Sequence, residues 1–307
     1  MSHLKRRVAL LAFALIVLCP IGAAVGCTGT QHSIEPVPTG EALRAPRLNR
    51  DSTRLAFALF GTLPNSGTPP GVYVTDIGLG AAKLVRAYAY SPTWSPDGGS
   101  LAYSEPRLAT TDLASGLTTL LTTFHVDMPQ WSPDDSAIAF AAFQDSSTGG
   151  RVIWLVHPDG SNLRDISVHG TGEWLYPAWS PHGALIVHSR YSALSPGAQI
   201  FVMRSDGTNA QRLTFSTVSD IEPAWAPDST QIAFVRQSPG GSFIWIMDAD
   251  GSRAQSLVAG VDPSWLPSGQ GLIFALTSSR AATSFGMINR DGTGLRYVTP
   301  TLSRQQE

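Results

Sequence analysis

Residues 177–183 read PAWSPHG, a tryptophan framed by two prolines and followed by a turn-forming run. The frame recurs as PTWSPDG from Pro92, PQWSPDD from Pro129, PAWAPDS from Pro223 and PSWLPSG from Pro263. The framed tryptophans are Trp94, Trp131, Trp179, Trp225 and Trp265, spaced 37, 48, 46 and 40 residues apart. A feature copied at such intervals marks a structural joint in a repeat architecture. His182, which replaces the turn aspartate in the quoted copy, is then one variant of a joint.

Each framed tryptophan precedes a short apolar run: SLAY from Ser100, AIAF from Ala137, LIVH from Leu185, QIAF from Gln231 and LIFA from Leu272. An earlier copy, RLAF from Arg54, has Leu48 in place of the tryptophan, which brings the number of units to six. A second run follows in each unit, then a turn, then a third run. In the last four units the turn reads HPDGSN, RSDGTN, DADGSR and NRDGTG; TDIGLG and TDLASG stand there in the first two. Aspartate accepts backbone hydrogen bonds inside a tight turn, and glycine takes positive φ without a Cβ clash, so the DG pairs predict hairpins. The flanking runs favour strands, and helical periodicity is absent outside the leader. Four strands per unit, repeated six times over residues 43–300, predict an all-β, six-bladed β-propeller with four-stranded antiparallel blades. The five tryptophans are expected to pack between blades, where burying one indole contributes about 1.5–3 kcal/mol or somewhat more. The first inner strand is expected at Leu43–Asn49 and the last outer strand at Leu295–Thr299. The ring is expected to close in register, with His32–Val37 as an alternative strand added at a blade edge.

The pattern P-x-W-S-P-D-G, apolar strand, I-x-V-M-D-x-D-G and R-x-L-T resembles the TolB-like, or PD40, propeller repeat of the WD40-like class. Residues 199–214, QIFVMRSDGTNAQRLT, and 243–257, FIWIMDADGSRAQSL, carry the resemblance most clearly. It implies the fold. TolB proteins have a further N-terminal α/β domain, for which the segment before the first repeat is too short. Their envelope-complex role is therefore not carried over.

The N-terminus reads as a targeting segment. Lys5, Arg6 and Arg7 precede VALLAFALIVLCPIGAAVGC, an apolar stretch shorter than a standard spanning helix with a small-residue exit. Its end, Ala24-Val25-Gly26-Cys27, resembles a bacterial lipobox with Ala24 in the usual leucine position. The expected organisation is a signal peptide at 1–26, a lipidated N-terminus and tether at 27–42, the propeller at 43–300 and a tail at 301–307. Cys27 is the lipidation site, and the protein is expected to be exported and membrane-anchored on the extracytoplasmic side. Both cysteines, Cys19 and Cys27, lie in or at the end of the leader, which leaves no disulfide in the processed chain. The formal charge of −2 becomes about −5 once Lys5, Arg6 and Arg7 are removed with the leader. That balance argues against nucleic acid as a partner.

No G-x-S-x-G nucleophile turn, HExxH, phosphate loop or calcium loop is present. Ahead of the inner strands, Asp127, Glu173, Asp220, Glu222 and Asp262 could gather at one channel mouth and focus cations or basic peptide segments. Tyr88, Tyr90, Trp174 and Tyr176 precede inner strands as well. Trp174 lies outside the repeated tryptophan position, so packing against the adjacent blade explains it less directly; it reads as packed on its loop or, alternatively, as an aromatic contact. The resulting binding surface is Trp174, Tyr176, Asp127, Glu173, Glu222 and Asp262, and the expected partner is an envelope or extracellular protein or peptide. No cofactor is expected under this reading. The alternative is a metal-assisted polysaccharide lyase or hydrolase, with His125 and His169 and a nearby carboxylate holding a divalent metal in the channel. His157 and His188 are read as ordinary turn and strand residues.

Overall fold

The computed structural model describes residues 42–61, 68–77, 81–143, 150–167, 172–192, 195–277 and 284–302. The leader, Cys27, the segment His32–Val37 and His169 lie outside them. The described chain forms six sheets, each built from one sequence repeat. The inner strands are Ala42–Leu48, Tyr90–Trp94, Asp127–Trp131, Glu173–Trp179, Asp220–Trp225 and Val261–Trp265, defining blades 1 to 6. Each pairs antiparallel with a second strand, which pairs with a third, and the third with an outer strand. This is the expected six-bladed propeller, with one departure. Thr301 and Leu302 pair in parallel with Ala81 and Ala82, adding a fifth strand to the outer edge of blade 1.

Among the described residues, blade 1 takes its four antiparallel strands from the first repeat and blade 6 its four from the last, so the ring closes in register apart from the added Thr301–Leu302 strand. At that seam, Leu43, Leu55, Phe57 and Leu59 of blade 1 share one apolar cluster with Ile273 and Phe285 of blade 6. The rings of Phe57 and Phe285 meet edge to face at 5.6 Å. The C-terminal strand ties the same two blades together at the rim and covers an otherwise unpaired edge.

The prolines of the repeated frame mark a deviation that recurs in every blade. The residue just before each one has positive φ: Ala45 at 49°, Ser91 at 52°, Met128 at 57°, Tyr176 at 53°, Glu222 at 54° and Asp262 at 53°. At each site the register slips, so that two inner-strand residues oppose a single residue of the second strand. These are β-bulges, which bend the strand and re-aim a side chain. The residues opposite are Phe57, Tyr103, Phe140, His188, Phe234 and Phe274, all fully buried. Five blades therefore place an aromatic ring behind the bulge, and blade 4 places an imidazole there.

The framed tryptophans sit just beyond the bulges. Trp94 Nε1 donates to Arg47 O at 2.9 Å, Trp179 Nε1 to Gln130 O at 3.1 Å and Trp265 Nε1 to Ala224 O at 3.0 Å. Each acceptor belongs to the preceding blade and directly precedes that blade's own tryptophan, or Leu48 in blade 1. These three indoles thus join neighbouring blades by a polar bond as well as by packing. Trp131 turns its Nε1 to Asp135 of its own turn at 2.7 Å, and Trp225 Nε1 is buried without a partner.

The turn chemistry follows the sequence. Gly160, Gly207, Gly251 and Gly292 of the DG pairs all have φ between 84° and 88°. The aspartates before them accept the backbone N–H two residues on, from Ser161, Thr208, Ser252 and Thr293. His182 is an exposed turn residue ahead of Gly183, which has φ of 71°.

Candidate functional site

The bulges decide what faces the channel. Their re-aimed residues, one from each blade, line a cavity of about 60 Å³ together with Arg47, Gln130, Pro92, Pro177, Pro223 and Pro263. The lining is lopsided. Blades 1 to 3 contribute Ala45, Ser91 and Met128, whereas blades 4 to 6 contribute Tyr176, Glu222 and Asp262.

In the acidic half, each bulge carboxylate satisfies the bulge amide of the next blade. Asp262 N–H donates to Glu222 Oε2 at 2.6 Å, and Ala45 N–H donates to Asp262 Oδ2 at 3.1 Å. Arg44 Nε also donates to Asp262 Oδ2, at 2.6 Å. Glu222 is half-buried in the cavity lining and faces a second carboxylate. Burial, with the charge of Asp262 added, pushes its pKa up to about 8, against the opposing pull of Arg44. Glu222 therefore holds its proton near neutral pH. Burial lowers the pKa of Arg47 and raises that of the Tyr176 phenol well above its ordinary value.

Asp127 and Glu173 form a separate group. Both meet Arg151, through Nε at 2.9 Å and an Nη nitrogen at 3.4 Å, and His125 Nδ1 lies 3.8 Å from Asp127. The bridge joins blades 3 and 4 at the end of the ring where the inner strands begin. Asp220 is fully buried and held by Arg236 through two hydrogen bonds, at 2.7 and 2.8 Å. The acidic residues singled out in sequence are thus divided among three settings: the channel, the Arg151 bridge and the buried Arg236 pair.

Trp174 is packed within blade 4, the first of its two readings in sequence. It is 1% exposed, its ring stacked on His188 at 4.6 Å with 14° between planes, and Arg190 lies over the ring at 4.7 Å. The reason lies in blade 4, where His188 occupies the space that a Phe or Tyr fills elsewhere, and Trp174 packs against that smaller ring. His188 also stacks on Phe201 at 5.8 Å, and its Nε2 is buried without a partner. Burial lowers its pKa to about 3, so the ring is neutral.

Exposed aromatics at this mouth include Tyr88 and Phe215, at 67% and 76%, and Phe143, at 44%. Phe215 was not legible as a site residue. Its sequence signal is slight: an aromatic directly after the R-x-L-T run of the fourth repeat. The loop behind it is built around the buried side chain of Gln199. That amide accepts Ser216 N–H at 3.0 Å and donates to Ser216 O and Val218 O, each at 3.1 Å. Arg212 lies over the Phe215 ring at 4.7 Å while its Nε donates to Thr214 O. A fully engaged buried amide thus holds a phenyl ring out in water. Among the described residues, no group of three or more His, Cys, Asp or Glu side chains is placed to hold a metal ion.

These features define a closed repeat scaffold with a narrow, partly acidic channel and an aromatic rim, carrying no recognisable catalytic motif. The profile of the TolB β-propeller domain, PD40, matches residues 118–306, and the chain belongs to that family. The Tol-Pal system protein TolB of Gluconobacter oxydans is 30% identical over 240 residues, which is 72% of this chain and 51% of that protein. An uncharacterized protein of Agrobacterium fabrum is 33% identical over 166 residues, covering 49% of this chain and 56% of its own. The chain thus spans about half the length of these relatives. Among solved structures, TolB from Acinetobacter baumannii superposes with a TM-score of 0.64 at 19% identity, covering 86% of this chain and 65% of that one. An oligogalacturonate lyase in complex with manganese superposes at 0.56 and 14% identity, covering 85% of this chain and 78% of that one, a likeness of fold alone.

Proposed function

We propose that this is an extracytoplasmic propeller lipoprotein, anchored through Cys27, that binds a protein or peptide at the mouth where the inner strands begin. One observation carries the binding reading: the buried Gln199 amide fixes the loop that presents Phe215 to solvent. Ordering is then largely complete before a partner arrives, so contact at the phenyl ring loses little conformational entropy. Short strands supply the rigid frame, and the loops between them supply the contact surface. Membership of the TolB propeller family supports an envelope location. The arginine-flanked apolar leader ending in Ala24-Val25-Gly26-Cys27 supports the lipid anchor.

A photo-crosslinking residue at position 215, expressed in the native host, tests the binding reading. It should trap a discrete envelope protein. The same residue at Leu117, exposed in a turn at the opposite mouth, should not. Equal capture at both positions would overturn the assignment of the face. Mass spectrometry of the native N-terminus should find acylated Cys27; an unmodified terminus elsewhere would end the lipoprotein reading.

A further inference from the structure

Four arginines toward this mouth are matched with acids, Arg44 with Asp262, Arg86 with Glu105, Arg151 with Asp127 and Glu173, and Arg236 with Asp220, while Arg212 donates to the backbone oxygen of Thr214. Arg190 departs from this. Its Nε is buried without a hydrogen-bond partner, and its described contacts are two aromatic faces, Trp174 at 4.7 Å and Phe201 at 5.6 Å.

Blade 5 shows what is missing. Arg190 and Arg236 occupy the same position, two residues after the residue that opposes the bulge. Arg236 is in register with Asp220, and Arg190 with Trp174. Arg236 also rests on rings, Phe234 at 5.5 Å and Trp245 at 4.2 Å, and adds two hydrogen bonds to Asp220. Blade 4 keeps the aromatic shelf and lacks the carboxylate. A planar guanidinium held flat is organised for two-point recognition of a carboxylate, and a half-buried cation without an anion is costly. The adjoining ring of His188 is neutral and does not compete for an anion. On its other side Arg190 is in register with Gln199, the residue that holds the Phe215 loop. The unmatched cation and the exposed phenyl therefore belong to one corner of the mouth.

We propose that Arg190 receives a carboxylate of the bound peptide, which supplies in trans the acid that Asp220 supplies to Arg236 in cis. This deepens the peptide-binding reading and rests on it. The ligand chemistry is a carboxylate, from an acidic side chain or from a chain terminus.

The test is an NMR titration of the ¹⁵N-labelled full chain at constant ionic strength, following the Nε–Hε signals of Arg190 and Arg236. The probes are N-acetylglutamate N-methylamide, N-acetylglutamine with a free terminal carboxylate, and N-acetylglutamine N-methylamide. A carboxylate probe should move the Arg190 signal saturably, with Arg236 unmoved and the neutral amide without effect. Whichever carboxylate acts identifies the source. Read instead at the backbone N–H of Ser216, which is held by Gln199, the register partner of Arg190, the response should be abolished by Arg190→Gln while the Arg236 signal, as a check of folding, stays in place. Arg190→Lys, which keeps the charge but not the fork, should weaken the response at least severalfold. Equal responses to the carboxylates and the amide, or Arg190 and Arg236 drifting together without saturation, would overturn the proposal. Because these probes need no cellular partner, the result stands apart from the crosslinking at position 215.

Discussion

Arg44 Nε lies 2.6 Å from Asp262 Oδ2, although 218 positions separate the two residues in the chain. The bond crosses the seam between the first and last blades, and the same carboxylate oxygen accepts the N–H of Ala45. A closed ring holds only if its ends recognise each other, and here one aspartate engages both the side chain and the backbone of the opposite end. Asp262→Asn should therefore lower stability by about 2 kcal/mol, as for loss of hydrogen bonds to a charged group. Urea unfolding would measure it. Arg44→Gln should cost a similar amount, and the double variant clearly less than the sum. Additive losses would show that the two residues act independently.

Glu222 gives the channel a pH signature. Its folded pKa is raised to about 8, so the folded chain binds this proton where the unfolded chain has released it. Its contribution is complete below the ordinary glutamate value near 4.5 and is lost as pH rises through about 8. Glu222→Gln keeps the acceptor oxygen for Asp262 N–H and removes the titration. The variant should gain thermal stability relative to the parent between pH 6 and 9, with the difference widening as pH rises. Parallel melting curves across that range would contradict it.

His188 should respond in the opposite direction. Its folded pKa is lowered to about 3, so acidification protonates the unfolded chain first. Stability from this group is present above the unfolded value near 6.5 and falls as pH drops toward 3, by up to about 1.4 kcal/mol per pH unit. His188→Phe restores the ring type found behind the bulge in the other blades and should flatten that decline. Denaturant midpoints at pH 4 and 7 measure the change, and an equal decline in both proteins would refute the assignment.

The framed tryptophans are not equivalent. Trp265 Nε1 bonds Ala224 O across a seam at 3.0 Å, whereas Trp225 Nε1 is buried without a partner. Substitution by phenylalanine removes similar apolar area at both sites. Trp265→Phe should cost about 1 kcal/mol more than Trp225→Phe, since only the first change leaves a carbonyl unpaired. Calorimetric unfolding of the two variants makes the comparison.

Much of the fold was legible because blades repeat. The framed tryptophans, apolar runs and DG turns have local causes, and each is written in adjacent residues. The site was legible only in part. A residue before proline is expected in the extended region, yet Glu222 and Asp262 take φ near 54° and 53°, which turns both into the channel. Trp174 read as either packed or an aromatic contact because its departure from the repeat was visible, while the reduced ring at His188 that receives it was not. Phe215 carried no repeated signal, since its exposure depends on a loop folded around Gln199.

The sequence by itself determined the number of units, the strands within each and the turns between them, since these follow from backbone preferences and apolar patterning over a few residues. The tertiary structure alone decided which side chains meet. Glu222, Asp262 and Arg44 belong to three different repeats and become neighbours only when the ring closes. Their protonation and pairing depend on burial and on charges brought close by that closure, and neither exists in the unfolded chain.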